Sequence, residues 1–132
     1  MHTVLFDLDG TLLPMDQEAF VRLYFSALTH KFEPYGFDPQ KLVQGLWAGM
    51  KAMQENDGSK TNEDAFWQAF TGLAGERALD YRSDFDAFYR NEFAAAKKAT
   101  VCHPMAARCV HLLREKGYRV ALATNPLFPQ EA

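Results

Sequence analysis

The chain has 132 residues, of which 48% are hydrophobic and 23% are charged, and its formal net charge is −3. This length fits one small domain, or a domain with an insertion, and the hydrophobic content is sufficient for a packed core. The acidic charge and the lack of a basic cluster argue against nucleic-acid binding. No apolar run reaches the roughly 20 residues of a membrane span, and the 2 cysteines are too few for a disulfide scaffold. We therefore expect a cytoplasmic protein without nucleic-acid or membrane partners.

The first predicted element is a strand over residues 2–7, which we expect to be buried because its residues are mostly apolar. Asp7 and Asp9 follow at a spacing of two, so in an extended backbone both side chains point to the same side. Two carboxylates in one small space repel each other unless a proton or a cation is present, and Mg²⁺ suits all-oxygen ligation. Gly10 permits a sharp turn beside the pair and lets backbone N–H groups approach an anion.

Residues 16–98 have the pattern of four amphipathic helices that are dense in aromatic side chains. The predicted helix starts share a capping residue, and they lie at Asp16, Asp38, Thr61 and Ser83. The fourth helix is predicted to extend through Phe93. Four such helices can bury their apolar stripes against one another as a small bundle.

After the helical segment, His103 and Pro104 predict the start of another helix, and Gly117 predicts its end. Residues 118–123 form a second predicted strand, which is followed by Thr124-Asn125. If this strand pairs in parallel with the first, the chain contains a βαβ crossover with the helical segment inserted near its start. The carboxyl ends of both strands then lie at one edge of the sheet, where ligands bind in open α/β folds.

The segment Asp7–Leu12, DLDGTL, resembles motif one of the haloacid dehalogenase (HAD) superfamily, most of whose members are Mg²⁺-dependent phosphohydrolases. Thr124 is similar to the hydroxyl residue of the second motif of that superfamily. The resemblance implies an α/β fold, with a partial Rossmann-like HAD core of parallel strands in residues 1–15 and 99–132. It also implies that residues 16–98 are an inserted four-helix-bundle cap that closes over the site.

The resemblance further implies phosphatase chemistry on a small phosphorylated metabolite, through an aspartyl-phosphate intermediate. Asp7 is then the nucleophile and Asp9 the general acid and base, and both hold Mg²⁺. The residues expected to contact phosphate are Gly10, Thr11, Thr124 and Asn125. Asn125 is equally well explained as a turn residue before Pro126. The alternative for the two aspartates is a solvated turn at a strand end.

Other residues suggest binding sites less strongly. The weak candidates for substrate contacts in the predicted cap are Trp47, Lys51 and Lys60, because such residues more often belong to the core or to solvated surface. A zinc site would need Cys102, His103, Cys109 and His111, whose spacing does not match the usual ligand patterns. We expect core cysteines and a histidine at a helix start instead.

A complete HAD site also contains a lysine and a later acidic pair after motif two, and the sequence ends at Ala132. We therefore expect a piece of a longer protein, or a sheet that is completed by another polypeptide or by self-association. Alone, the chain is expected to bind Mg²⁺ weakly and to turn over slowly or not at all. The alternative function is a non-catalytic assembly module that pairs through an exposed sheet edge. A phosphomutase is the second enzymatic candidate, while a dehalogenase would not need Asp9 or Mg²⁺.

Overall fold

A computed structural model of the chain describes residues 2–124. Its elements are β1 (Thr3–Phe6), α1 (Gln17–Phe32), α2 (Pro39–Gln54), α3 (Asn62–Ala74), α4 (Arg82–Arg90), α5 (Pro104–Glu115) and β2 (Arg119–Leu122). Short 3₁₀ segments cover Glu33–Tyr35, Glu76–Tyr81 and Glu92–Ala99. The described fold is thus mostly helical, with one small parallel sheet. None of the helices within residues 2–124 is long and apolar enough to cross a membrane.

The described residues form two compact units. The α/β unit contains the described residues of Met1–Leu23 and Ala96–Pro126, and the helical unit contains Tyr24–Ala95. The predicted limits of the cap, residues 16 and 98, lie inside the α/β unit by this division, because the start of α1 and the last 3₁₀ residues cluster with the strands. The assignment of a cap stays a prediction.

The α/β unit is built on the parallel pairing of β1 with β2, as predicted. The register runs from Thr3 opposite Arg119 to Phe6 opposite Leu122. Just beyond the paired residues, the backbone N–H of Ala123 donates to the Phe6 carbonyl over 2.7 Å. Both strands therefore end at the same edge of the sheet, which is the edge that carries Asp7.

The prediction that the first strand is buried was wrong. Leu5 is 64% exposed, whereas Val4 and Phe6 are half-buried. Successive residues of a strand point to opposite faces, and α5 packs against β2 in this two-stranded sheet. The alternation indicates that only one face of β1 is partly covered.

Capping side chains fix most of the helix starts as predicted. The carboxylate of Asp16 accepts the Ala19 N–H over 3.0 Å at the start of α1. Asp38 accepts two backbone N–H groups at the start of α2, and Thr61 accepts one at the start of α3. These bonds satisfy amides that have no partner within their own helix.

The expected cap at Ser83 and the expected extension through Phe93 were both wrong. α4 begins at Arg82 without a side-chain cap, directly after the 3₁₀ segment Glu76–Tyr81, and it ends at Arg90. A preceding 3₁₀ turn already places the chain in a helical conformation, so no extended capping position precedes the helix. Phe93 lies in the following 3₁₀ segment.

Aromatic packing forms the core of the helical unit. Phe32 of α1 stacks on Phe85 of α4 with ring centroids 4.0 Å apart, and Phe70 of α3 meets Phe85 edge-on at 5.3 Å. The hydroxyl groups of Tyr24 and Tyr89 share a hydrogen bond of 2.7 Å that links α1 to α4. Ring contacts of this kind contribute beyond their buried area, so the helical unit has a core of its own.

Candidate active site

A tight turn directly follows β1 and carries the two aspartates. The Gly10 N–H donates to the Leu13 carbonyl over 3.0 Å, and the N–H groups of Thr11 and Leu13 donate to the Leu8 carbonyl over 3.1 and 2.9 Å. Gly10 has a φ of 75°, a left-handed conformation that side chains rarely adopt. The turn from Leu8 to Leu13 is therefore closed by its own backbone.

The charge of Asp7 affects the neighbouring carboxyl of Asp9 in this turn. The pKa of the Asp9 carboxyl is raised, first by partial desolvation and second by the negative charge of Asp7. Both residues are exposed at the end of the strand. Two carboxylates with unequal surroundings can hold different protonation states at one pH, which acid–base chemistry requires.

Thr11 contacts the first of these carboxylates. Its hydroxyl donates to Oδ2 of Asp7 over 3.0 Å. A threonine hydroxyl has one hydrogen to donate, and the N–H groups of Gly10 and Thr11 already donate within the turn. The groups expected to meet a phosphate at Gly10 and Thr11 are thus hydrogen-bonded inside the turn itself.

Thr124 follows the end of β2 and is half-buried. The bond from the Ala123 N–H to the Phe6 carbonyl brings the end of β2 beside the strand that leads into Asp7. Thr124 and Asp7 therefore lie at the same edge of the sheet, as the parallel topology predicted. Asn125, the other candidate after this strand, lies outside the described residues.

The three weak substrate candidates belong to the helical unit. Trp47 is 50% exposed, and its ring meets that of Phe25 edge-on at 5.4 Å. Lys51 lies 3.7 Å from Glu55 in an exposed ion pair, and Lys60 donates to the side chain of Gln68 over 2.8 Å. Each of the three side chains therefore has a partner within the helical unit. That they contact a substrate stays a prediction.

The cysteines are exposed, so the prediction that Cys102 and Cys109 belong to the core was wrong. Cys109 lies on α5, which has no buried residue, and Cys102 lies in the exposed segment just before this helix. His103 does begin a helix, since its Nδ1 accepts the Met105 N–H over 3.1 Å. Within residues 2–124, no group of three or more His, Cys, Asp or Glu side chains is placed to hold a metal ion.

Asp7 and Asp9 nevertheless suit Mg²⁺ by the chemistry of their donor atoms. Magnesium keeps several of its waters and is usually bound in proteins by one or two carboxylates. The pair offers carboxylate oxygens, and the pKa of Asp9 is raised first by partial desolvation and second by the negative charge of Asp7. A divalent cation relieves such repulsion.

Sequence reasoning missed an open cavity of about 400 Å³ in the α/β unit. Its lining includes Leu12, Leu13, Cys102, His103, Val110 and His111. The two leucines belong to the turn that carries the aspartates, but nothing in their spacing indicated that α5 would leave a space beside them. The hydrogen bond from Thr11 to Asp7 was also not foreseen, because it depends on the closed form of the turn.

The comparison with family models matched residues 1–130 to the family described as "Hydrolase: haloacid dehalogenase-like hydrolase". The chain therefore belongs to the haloacid dehalogenase-like hydrolases, and the superfamily predicted from DLDGTL is confirmed. Membership of this family supports the prediction that the protein is a hydrolase. Neither the curated proteins nor the solved structures gave a match.

Proposed function

We propose that the chain carries the active-site aspartates of a Mg²⁺-dependent phosphohydrolase, which acts on a small phosphorylated metabolite through an aspartyl-phosphate. The observation that carries the proposal is the turn after β1. It carries Asp7 and Asp9 at the edge of the sheet where β2 ends, shortly before Thr124, in a chain of the HAD-like hydrolases. We further propose that the α/β unit is a partial Rossmann-like core and that the helical unit is its cap.

The side chain of Asp7 and the backbone carbonyl of Asp9 would hold the cation, with water in the remaining positions. When bound, Mg²⁺ neutralises part of the phosphate charge and keeps Asp7 ionised. Thr124, and Asn125 beyond it, would donate hydrogen bonds to phosphate oxygens, which gain negative charge as the reaction proceeds.

In the first step a carboxylate oxygen of Asp7 attacks phosphorus in line. A bond forms between this oxygen and phosphorus while the bond from phosphorus to the leaving alcohol oxygen breaks. The Asp9 carboxyl donates its proton to that oxygen. The raised pKa of Asp9 supports this role, since it favours the protonated form of the carboxyl.

In the second step Asp9, now a carboxylate, takes a proton from water. The water oxygen attacks phosphorus, the bond from phosphorus to Asp7 breaks, and inorganic phosphate leaves. Asp7 and Asp9 return to their starting forms, so atoms and protons balance over the cycle. In the helical unit, Trp47, Lys51 and Lys60 are the candidates to contact the organic part of the substrate.

The test is phosphate release from a panel of sugar phosphates, nucleoside monophosphates and an aryl phosphate, at high protein concentration. We expect Asp7→Asn to reduce release by about 10³-fold or more, because the nucleophile is lost. Removal of Mg²⁺ by a chelator should also abolish release.

Asp16→Asn is the matched control for this test, since it removes one exposed carboxylate and keeps an N-cap oxygen for α1. It should retain the wild-type rate. Absence of any Asp7-dependent and Mg²⁺-dependent release across the panel would falsify the proposal.

A second candidate function, non-catalytic self-assembly, is favoured by the exposed apolar residues of the sheet. Leu5 of β1 is 64% exposed and Leu122 of β2 is 53% exposed. In the described two-stranded sheet both strands are edges, which can pair with another chain. Sedimentation over a range of concentrations tests it: an oligomer that Leu5→Lys disrupts supports assembly, and a monomer throughout contradicts it.

A further inference from the structure

We infer that Thr11 is a positioning residue that orients the Asp7 carboxylate for attack, rather than a residue that binds phosphate. This inference rests on the proposed function, in which Asp7 is the nucleophile. It starts from the hydrogen bond of 3.0 Å that the Thr11 hydroxyl donates to Oδ2 of Asp7.

The number of hydrogens on the hydroxyl decides between the two roles. Thr11 has a single O–H, so a hydrogen bond donated to Asp7 is not available for a phosphate oxygen. A hydroxyl oxygen that faced a phosphate would then present lone pairs to a negative group, which is unfavourable. While the bond to Asp7 exists, Thr11 acts on the carboxylate and only through it on the substrate.

The turn holds the Thr11 side chain in place. The N–H of Thr11 donates to the Leu8 carbonyl, and the Leu8 carbonyl also accepts from Leu13. Gly10 supplies the positive φ that lets the chain fold back, so that residue 11 meets residue 7. A β-branched side chain is stiff about χ1, so this closed backbone leaves the hydroxyl few alternative directions.

The bond distinguishes the two oxygens of the nucleophile. Oδ2 is held by Thr11, and within the described residues no hydrogen bond engages Oδ1. A terminal carboxylate torsion is otherwise broad, so a free Asp7 would sample many orientations. Fixing one oxygen directs the other toward the incoming phosphorus, and such orientation lowers the barrier of the chemical step.

The first measurement uses trifluoroberyllate, a stand-in for the phosphoryl group, whose adduct with the chain and Mg²⁺ is followed by ¹⁹F NMR. Thr11→Val removes the hydroxyl and keeps the shape of the side chain, whereas Thr11→Ser keeps the hydroxyl. We expect Thr11→Val to weaken the adduct roughly tenfold or more, as for a lost hydrogen bond to a charged group. Thr11→Ser should stay within about threefold of wild type.

The second measurement separates positioning from phosphate binding. In phosphate release, Thr11→Val should lower kcat with KM nearly unchanged, because the orientation of Asp7 matters in the transition state. A higher KM with unchanged kcat would instead assign Thr11 to phosphate binding and overturn the inference. So would a serine variant that behaves like the valine variant, or a valine variant with wild-type adduct affinity.

Thr3→Val is the matched control, because it makes the same change at an exposed position of β1. It should leave the adduct unchanged, and circular dichroism should show wild-type folding for each variant. A wild-type chain whose adduct does not depend on Asp7 would refute the proposed function, and this inference with it. An Asp7-dependent adduct that is insensitive to Thr11→Val refutes the inference alone.

Discussion

The chemical properties of the two aspartates after β1 depend on the groups that surround each carboxylate. Asp7 and Asp9 are both exposed aspartates. The pKa of Asp9 is raised, first by partial desolvation and second by the negative charge of Asp7. Asp7 instead receives a hydrogen bond from the Thr11 hydroxyl on its Oδ2. The two residues are thereby made unequal, as a nucleophile and a general acid need to be.

A pair of tyrosines in the helical unit shows the same principle in a buried setting. Burial raises the pKa of Tyr89 to about 12, from an ordinary value of 10.0, although its hydrogen bond with Tyr24 acts in the opposite direction. The pKa of Tyr24 is also raised, mainly by burial. The folded chain therefore keeps both hydroxyls protonated at a pH where the unfolded chain has begun to lose its protons.

We predict from this pair that the free energy of unfolding falls as the pH rises from about 10 to about 12. The raised pKa values stabilise the fold below pH 10, and the unfolded chain binds fewer protons in this interval. Urea unfolding at pH 9 and pH 11 measures the change. Tyr89→Phe removes one of the two groups and should make the decrease smaller; an identical decrease in the variant would contradict the prediction.

Within the described residues, α2 packs closely against α3, and glycines of α2 make this possible. Gly45 and Gly49 are buried on α2. A Cβ added at Gly45 would lie 2.8 Å from the ring of Phe70, and one added at Gly49 would overlap the ring of Phe66. Phe66 and Phe70 are themselves stacked, with centroids 5.4 Å apart. The rings occupy the space that larger side chains on α2 would fill.

We predict that Gly45→Ala and Gly49→Ala each destabilise the helical unit by about 1–3 kcal/mol, because an overfilled core forces side chains and backbone to shift. Thermal or urea unfolding measures the loss.

Gly72→Ala is the control, since it lies in α3 with no atom near its added Cβ. It should be neutral or stabilise the chain by about 0.5–1 kcal/mol, as alanine usually does in a helix. Equal effects at all three positions would show that close packing is not the cause.

At the scale of the whole molecule, buried apolar side chains are distributed unevenly. Among residues 2–124, all the buried hydrophobic residues except Ala96 and Ala99 lie within Tyr24–Ala95. In the described part of the α/β unit, α5 has no buried residue, and the sheet has two short strands. Small two-stranded pairings are marginally stable in water, so this unit depends on few stabilising contacts.

We predict that amides of α2 and α3 exchange with solvent at least about tenfold more slowly than those of β1, β2 and α5, because local opening is easier where little apolar surface is buried. Hydrogen–deuterium exchange followed by mass spectrometry measures this. Equal protection of both groups of amides would show that the strands are stabilised by contacts outside those described.

Much of this organisation was predictable from local sequence patterns. DLDGTL after an apolar run predicted the superfamily, and cap residues such as Asp38 and Thr61 predicted two helix starts correctly. These features depend on neighbours within a few residues, so their physics is contained in the sequence. The cap at Ser83 was wrong because the 3₁₀ turn before it changes the backbone conformation of the helix start.

Two other features, the hydrogen bond of Thr11 and the exposure of Leu5, became apparent only in the tertiary structure. The sequence determined which groups stand at the end of β1, but the closed turn decided that the Thr11 hydroxyl donates to Asp7. Likewise, the apolar pattern of the first strand predicted burial, whereas Leu5 is exposed in the described residues. The Thr11 hydrogen bond depends on the backbone conformation of the turn, and burial depends on where distant parts of the chain meet. Periodicity along the sequence contains neither kind of information.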